Sequence, residues 1–361
     1  MNLKFRHIVV LMMTTVLIVS CGQDAQQGGT EVPVPVPEAG APIVFTASRQ
    51  QETAVTRATT PLKDYQTTFK VWGFKNYSYT DEGGTYSYGD VQTVFPGYTV
   101  EYAENSQSST TTNTAGWEYI LTSYPDQSIK FWDWAARAYR FFGVTDGADA
   151  ILRGDRYEFS FTADTTKVDE TPYYSRLWFS TGNYETYPDR QFGRPVELEF
   201  LKPFAQVRFL FVSGDPSVDL ERLYIEDPVF GPITSSRGIA VKGEFKVSYP
   251  LTGTGTSETF TVVPDGAMGS VMDAFTVAER WYTVLPAPGQ GPFRLTVTVA
   301  GDPDKECIVP AEYMNWQPSF KYTYIFKVND EGGVELGGVL AAYTQWQDGG
   351  ETEKKIFIFN W

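Results

Sequence analysis

Two thiols and one imidazole carry most of the reactive chemistry in this chain of 361 residues: Cys21, Cys307 and His7. Cys21 follows Ile18-Val19-Ser20 and precedes Gly22. A small residue directly before a thiol is what cleavage followed by thioether lipidation requires. Cys307 stands in Lys305-Glu306-Cys307-Ile308-Val309, a strand-like setting that reads as a buried, inert thiol. His7 lies in the stretch that such a cleavage removes, so the mature chain holds no histidine. That excludes Ser–His–Asp and Cys–His catalysis and any His-ligated metal. A carboxylate pair could hydrolyse glycosides without histidine, but Asp and Glu sit mostly beside Gly, Asn or Pro, as turns demand. TDGADA and VNDEGG lack the spacing of an EF-hand loop. No catalytic residue, metal or cofactor is expected.

The segment around Cys21 must be delivered to a membrane, and the first twenty residues are built for that. Lys4, Arg6 and His7 make a positive start, and an apolar run follows from Ile8 to Val19. It is shorter than the roughly 20 residues of a spanning helix and fits a secretory signal. Ile18-Val19-Ser20-Cys21 resembles the lipobox of bacterial lipoproteins, which implies acylation of Cys21 and stable anchoring by several chains. Loss of Lys4 and Arg6 takes the net charge from −15 to −17. Such an acidic chain offers no basic footprint for nucleic acid. With Cys21 acylated, Cys307 has no partner for an intrachain disulfide.

The remaining chain must supply a fold that stands off the membrane. Residues 21–42, with Val-Pro alternation at 32–37, read as an extended tether. Aromatic residues make up 16% of the chain, and 32 Gly and 22 Pro punctuate it, which favours strands and turns over long helices. IVFTA (43–47) is a short strand, followed by a polar, Thr-rich loop carrying Arg49 and Arg57 that is open to cleavage. TTFKVWGFKNYSY alternates, with Phe69, Val71 and Gly73 on one face and Lys70, Trp72 and Phe74 on the other. DEGG (81–84) is a turn. FWDWAARAYRFFG (131–143) fits a helical turn or two as well as a strand. VELEFLKPFAQVRFLFVSG (196–214) reads as two strands, with Val196, Leu198 and Phe200 sharing a face. Further strand signals continue to KKIFIFNW (354–361), separated by Gly, Pro, Asp and Asn. The expected fold is all-β: two sandwiches in tandem, 43–194 and 195–361, after a signal peptide (1–20) and tether (21–42).

With these segments in order, the chain resembles the fimbrillin family, the Mfa-like and major-fimbrial-subunit-like surface lipoproteins of Gram-negative anaerobes that build type V pili. The landmarks are the lipobox at Cys21, PIVFTA with VTRAT downstream, FKVWGF, the aromatic cluster around Trp132 and Phe141/Phe142, VELEFLKPFAQVRFLF, YTVLPAPGQGPFRLTVTV, NWQPSFKYTYIFKV and Trp346. Two places depart from the pattern: Lys202-Pro203-Phe204, where a His is frequent, and Pro318-Ser319, where Pro-Gly is frequent. The resemblance implies two transthyretin-like sandwiches and an outer-membrane, surface-exposed lipoprotein that joins other fimbrial subunits in a homo- or hetero-polymer. It also implies a host glycan or protein receptor, Arg-specific removal of the first strand, and filling of the groove by a strand from a neighbour. The removable strand matches residues 43–47 and the cut matches Arg57-Ala58, with Arg49 a second site.

A donor strand must alternate and reach beyond its own fold. KKIFIFNW does so, with Ile356 and Ile358 pointing one way and Phe357, Phe359 and Trp361 the other, behind the flexible QDGGETE. It equally fits the last strand of its own sheet. A rival reading is a non-polymerising carbohydrate-binding surface lipoprotein that stacks sugars on exposed rings such as Trp132, Trp134, Tyr184 and Tyr187.

Overall fold

The computed structural model describes residues 40–49, 60–103, 116–145, 148–181, 192–213, 234–235, 241–265, 281–286, 293–297, 305–310, 313, 315–328, 334–345 and 352–359. Apart from one 3-10 turn at Leu62–Asp64 and Tyr313, the regular structure there is all strand, as the composition leads one to expect. The first half of the chain forms β1 (Phe45–Arg49), β2 (Thr60–Pro61), β3 (Thr68–Glu82), β4 (Thr85–Tyr102), β5 (Trp117–Glu118), β6 (Ala138–Val144), β7 (Asp149–Arg153), β8 (Arg156–Asp164), β9 (Tyr174–Ser175) and β10 (Trp178–Thr181). The second half forms β11 (Val196–Leu201), β12 (Ala205–Ser213), β13 (Thr234–Ser235), β14 (Lys242–Pro250), β15 (Thr259–Pro264), β16 (Tyr282–Val284), β17 (Phe293–Val297), β18 (Lys305–Val309), β19 (Lys321–Val328), β20 (Val334–Gln345) and β21 (Thr352–Phe359).

These strands make four sheets. A nine-stranded sheet runs β2-β1-β11-β9-β6-β3-β4-β5, with β10 also on β6. A four-stranded sheet runs β15-β14-β8-β7, a five-stranded one β16-β12-β19-β20-β21 and a three-stranded one β13-β17-β18. The turn at residues 81–84 closes the long β3–β4 hairpin. Gly83 and Gly84 have φ of 65° and 90°, the sign a type I′ turn needs at both positions.

The middle of the nine-stranded sheet is buried on both faces. Phe69, Val71, Tyr139 and Phe141 face one core, with Phe45, Phe95, Trp117, Tyr119, Trp132, Phe192, Val196, Leu198 and Phe200. Trp72, Phe74, Phe142 and Val144 face a second core against Phe159, Phe161, Phe245, Val247 and Tyr249 of the four-stranded sheet, which is β-sandwich packing. Period-two alternation thus sorts β3 between two cores rather than between core and water. For the same reason all seven residues of β6 are buried, so residues 138–143 of the aromatic run form a strand and not a helical turn.

The boundary expected between Arg194 and Pro195 does not part the sheets. β11 lies in the nine-stranded sheet beside β1 and β9, and β14 pairs with β8 across nine registered positions from Lys242↔Asp164 to Pro250↔Arg156. The physical reason is the second core: β8 can bury Phe159 and Phe161 only if β14 supplies Phe245, Val247 and Tyr249 beside them.

Candidate functional site

The geometry that stands out is the seat of the first strand. β1 runs parallel to β11 in the register Phe45↔Val196 to Arg49↔Phe200, and the Val196 N–H donates to the Val44 carbonyl at 2.8 Å. Among the described residues, its other side pairs with two short pieces. At one end Ser48 and Arg49 pair with Pro61 and Thr60 of β2. At the other, Pro42 bridges Phe131, the Ile43 N–H donates to the Lys130 carbonyl at 2.7 Å, and the Trp132 N–H donates to the Ala41 carbonyl at 3.0 Å.

The side chains of this strand go deep. Ile43 and Phe45 are fully buried, and Ala47 is buried beside them. The Phe45 ring meets Phe95, Phe141 and Tyr119 edge-on, with centroids at 5.2, 5.9 and 6.0 Å. Burial of two such side chains contributes roughly 1.5–3 kcal/mol each before ordering costs. The main chain alternates to match: Val44 points its carbonyl to β11, whereas Ala41 and Ile43 point theirs to the opposite side.

That opposite side is built from the loops after β5. The Tyr119 hydroxyl donates to the Ile43 carbonyl at 2.9 Å and accepts from the Lys130 N–H at 3.2 Å. The Gln127 side chain acts as a stand-in strand: its Oε1 accepts from the Thr99 N–H at 2.6 Å, and its Nε2 donates to the carbonyls of Thr99 and Tyr119 at 2.9 and 2.6 Å. The carboxylate of Glu118, fully buried, accepts from the N–H groups of Tyr119 and Ile120 and turns the chain there. Segment 130–133 is pinned from below. Lys75 Nζ donates to Asp133 Oδ2 at 2.8 Å, the Tyr77 hydroxyl donates to the same oxygen, and the Asp133 N–H donates to the Tyr139 hydroxyl at 2.7 Å. The Lys75 ammonium and Tyr77 hydroxyl hold the Asp133 carboxyl below the usual carboxylate range.

The residues singled out from the sequence fall as follows. Phe45, Thr46 and Ala47 lie in β1, which extends to Arg49, whose Cα partners are Phe200 and Thr60. Cys21, Arg57, Ala58, Tyr184, Tyr187 and Trp361 lie outside the described residues. Ile356, Phe357, Ile358 and Phe359 lie in β21, opposite Ala341, Leu340, Val339 and Gly338 of β20, at the end of the five-stranded sheet. Cys307 lies in β18 opposite Leu295. Trp132 is not an exposed sugar platform: it is buried against Tyr139, Phe141, Trp178 and Phe192, with the Tyr139 centroid 4.8 Å away. Trp134 is half-buried and leans on Phe192. Tyr119, Gln127 and Asp133 were not anticipated, because one tyrosine among 22 carries no local mark of contact with the first strand.

No protein-family model and no curated protein matches the chain. Solved structures that match it include proteins described as cell-adhesion and fimbrial proteins of Bacteroidales, and one described as polysaccharide-binding, all at low identity. A candidate cell adhesion protein from Bacteroides ovatus is 11% identical with a TM-score of 0.36, covering 90% of this chain and 99% of its own. A fimbrial assembly protein from Parabacteroides distasonis is 11% identical with a TM-score of 0.33, covering 87% and 99%. A fimbrial protein from Bacteroides vulgatus is 8% identical with a TM-score of 0.31, covering 86% and 98%.

Proposed function

We propose that this chain is a fimbrial structural subunit or adhesin of the bacterial surface, exported as a lipoprotein through Cys21 and assembled by strand exchange after cleavage at Arg57. In this reading β1 is a place-holder. A cut between Arg57 and Ala58 separates it covalently from β2, and its departure uncovers the β11 edge and the pockets of Ile43 and Phe45. A strand from a neighbouring subunit restores the ladder and the core at once.

One observation carries this reading. A strand that buries Ile43, Phe45 and Ala47 in the core is joined, among the described residues, by β11 on one side and by two short contacts on the other. A segment buried this deeply is a permanent part of most folds, yet here it is followed by a polar, Thr-rich sequence carrying Arg57, ahead of a two-residue strand. β21, at the sheet edge and alternating, is the strand this chain would offer in turn, with Arg49 the secondary cut.

Treatment of the full chain with an Arg-specific protease tests the proposal. The expected result is a new N-terminus at Ala58, release of the fragment carrying residues 43–47, and heat-sensitive ladders of oligomers. A chain that is cut yet retains the fragment and stays monomeric refutes it.

A further inference from the structure

We infer that Tyr119 sets the register of whatever strand occupies the seat of β1, by offering one fixed hydrogen-bond donor to one main-chain carbonyl, the one at the position of Ile43. The inference rests on the reading of β1 as an exchangeable strand and concerns how the groove recognises its occupant. The occupant is an extended segment of a second protein chain with a large aliphatic, an aromatic and a small side chain at alternate positions.

Pairing with β11 does not by itself choose a register, because a ladder of main-chain bonds repeats every two residues and a slip of two keeps the same face inward. Something that does not repeat has to break the tie. On the β11 side the contacts are of the repeating kind. On the opposite side, beyond the short β2 pairing at Ser48 and Arg49, the contacts near Ile43 are singular: one tyrosine hydroxyl on the Ile43 carbonyl, one carbonyl from Lys130 on the Ile43 N–H, and one N–H from Trp132 on the Ala41 carbonyl.

Tyr119 is well placed to be that singular contact. Its side chain is nearly fully buried, its ring also forms part of the Phe45 pocket, and its hydroxyl is oriented by accepting from the Lys130 N–H. The Gln127 amide fixes its main chain, and Glu118 holds the two N–H groups at and after it. Burial raises the phenol well above its ordinary range, so it stays a donor wherever the protein is folded. One residue therefore links the backbone contact at Ile43 to the aromatic pocket two positions on. Only a strand that presents a carbonyl and an aromatic side chain at that spacing satisfies both.

The test compares the full chain with Tyr119→Phe, which keeps the ring and removes the donor. Deuterium uptake at residues 41–47 of the uncut chain is expected to rise roughly tenfold in the variant, because the Ile43 carbonyl is left buried without a partner, while β19 and β20 keep their protection. After Arg-specific cleavage, a synthetic peptide of residues 40–50 with carbon-13 in the Ile43 carbonyl is added. Its labelled infrared band is expected to shift to higher frequency in the variant, and the peptide to leave roughly ten times faster. Unchanged uptake, or an unchanged band in bound peptide, overturns the role of Tyr119. Raised uptake with no peptide entering either protein leaves the role of Tyr119 standing and overturns strand exchange instead.

Discussion

The ring of Phe45 stands edge-on to that of Phe95, 5.2 Å between centroids, joining the first strand to the β4 side of the same sheet. Since β1 and β4 lie far apart in the strand order, this contact means that the nine-stranded sheet curls over its own core. Phe45→Ala empties a pocket bounded by Phe95, Tyr119 and Phe141 and is expected to cost about 3–5 kcal/mol. Urea unfolding measures the loss, and faster shedding of the first strand after Arg-specific cleavage locates it.

Gly73 allows that core to close. A Cβ there would stand 2.6 Å from Phe141 Cε1 and 2.8 Å from Phe95 Cδ2, closer than carbon atoms approach. Gly73→Ala is therefore expected to destabilise by on the order of 1–3 kcal/mol despite its small volume. A lowered melting temperature with near-ultraviolet circular dichroism changed in the aromatic bands would bear this out.

Arg140 is fully buried in β6, and among the described residues an amide and main-chain carbonyls hold it rather than a carboxylate. Its Nη1 donates to Asn76 Oδ1 and its Nη2 to the Gly255 carbonyl at 3.3 Å, and the guanidinium lies 4.7 Å from the Phe179 ring centroid. Burial pulls its pKa down to about 10, against a smaller opposing effect of Tyr88. Arg140→Met should cost about 1–3 kcal/mol by orphaning these acceptors. Arg140→Lys should not restore it, since a single ammonium cannot fork between Asn76 and the 253–255 loop. Denaturation of both variants decides this.

Asp133 makes the seat of β1 sensitive to acid. Hydrogen bonds from Lys75 and Tyr77 depress its folded pKa, so it contributes stability above the unfolded carboxylate value, near 3.9. That contribution is lost as the pH falls through the depressed value. Protonation then loosens segment 130–133, which bonds to Ala41 and Ile43. Deuterium uptake at residues 41–47 is expected to rise below about pH 4 in the native chain. In Asp133→Asn it should be raised at neutral pH and lack the acid step.

The fold was legible wherever alternation survives. Phe69 and Val71 against Trp72 and Phe74 read as two faces, and the structure sends them to two cores. Val196, Leu198 and Phe200 share a face as expected. Legibility failed where burial is complete: β6 is covered on both sides, so its run carries no period to separate strand from helix. It failed again for Trp132, whose neighbours Lys130 and Asp133 look like a wet loop, although the ring turns inward to Phe192. The pairing of β14 with β8 left no local trace either, because it depends on chain segments that meet only in space.

The parallel pairing of Phe45 with Val196 also constrains the order of events in time. β1 has its parallel partner, β11, in the second half of the polypeptide, so that ladder cannot form until that half has been made. Until then this apolar strand lacks its β11 partner. Closure of the N-terminal core becomes a slow, late step governed by the entropy of a very large loop, and factors that shield nascent hydrophobic segments would find Ile43–Ala47 exposed until then.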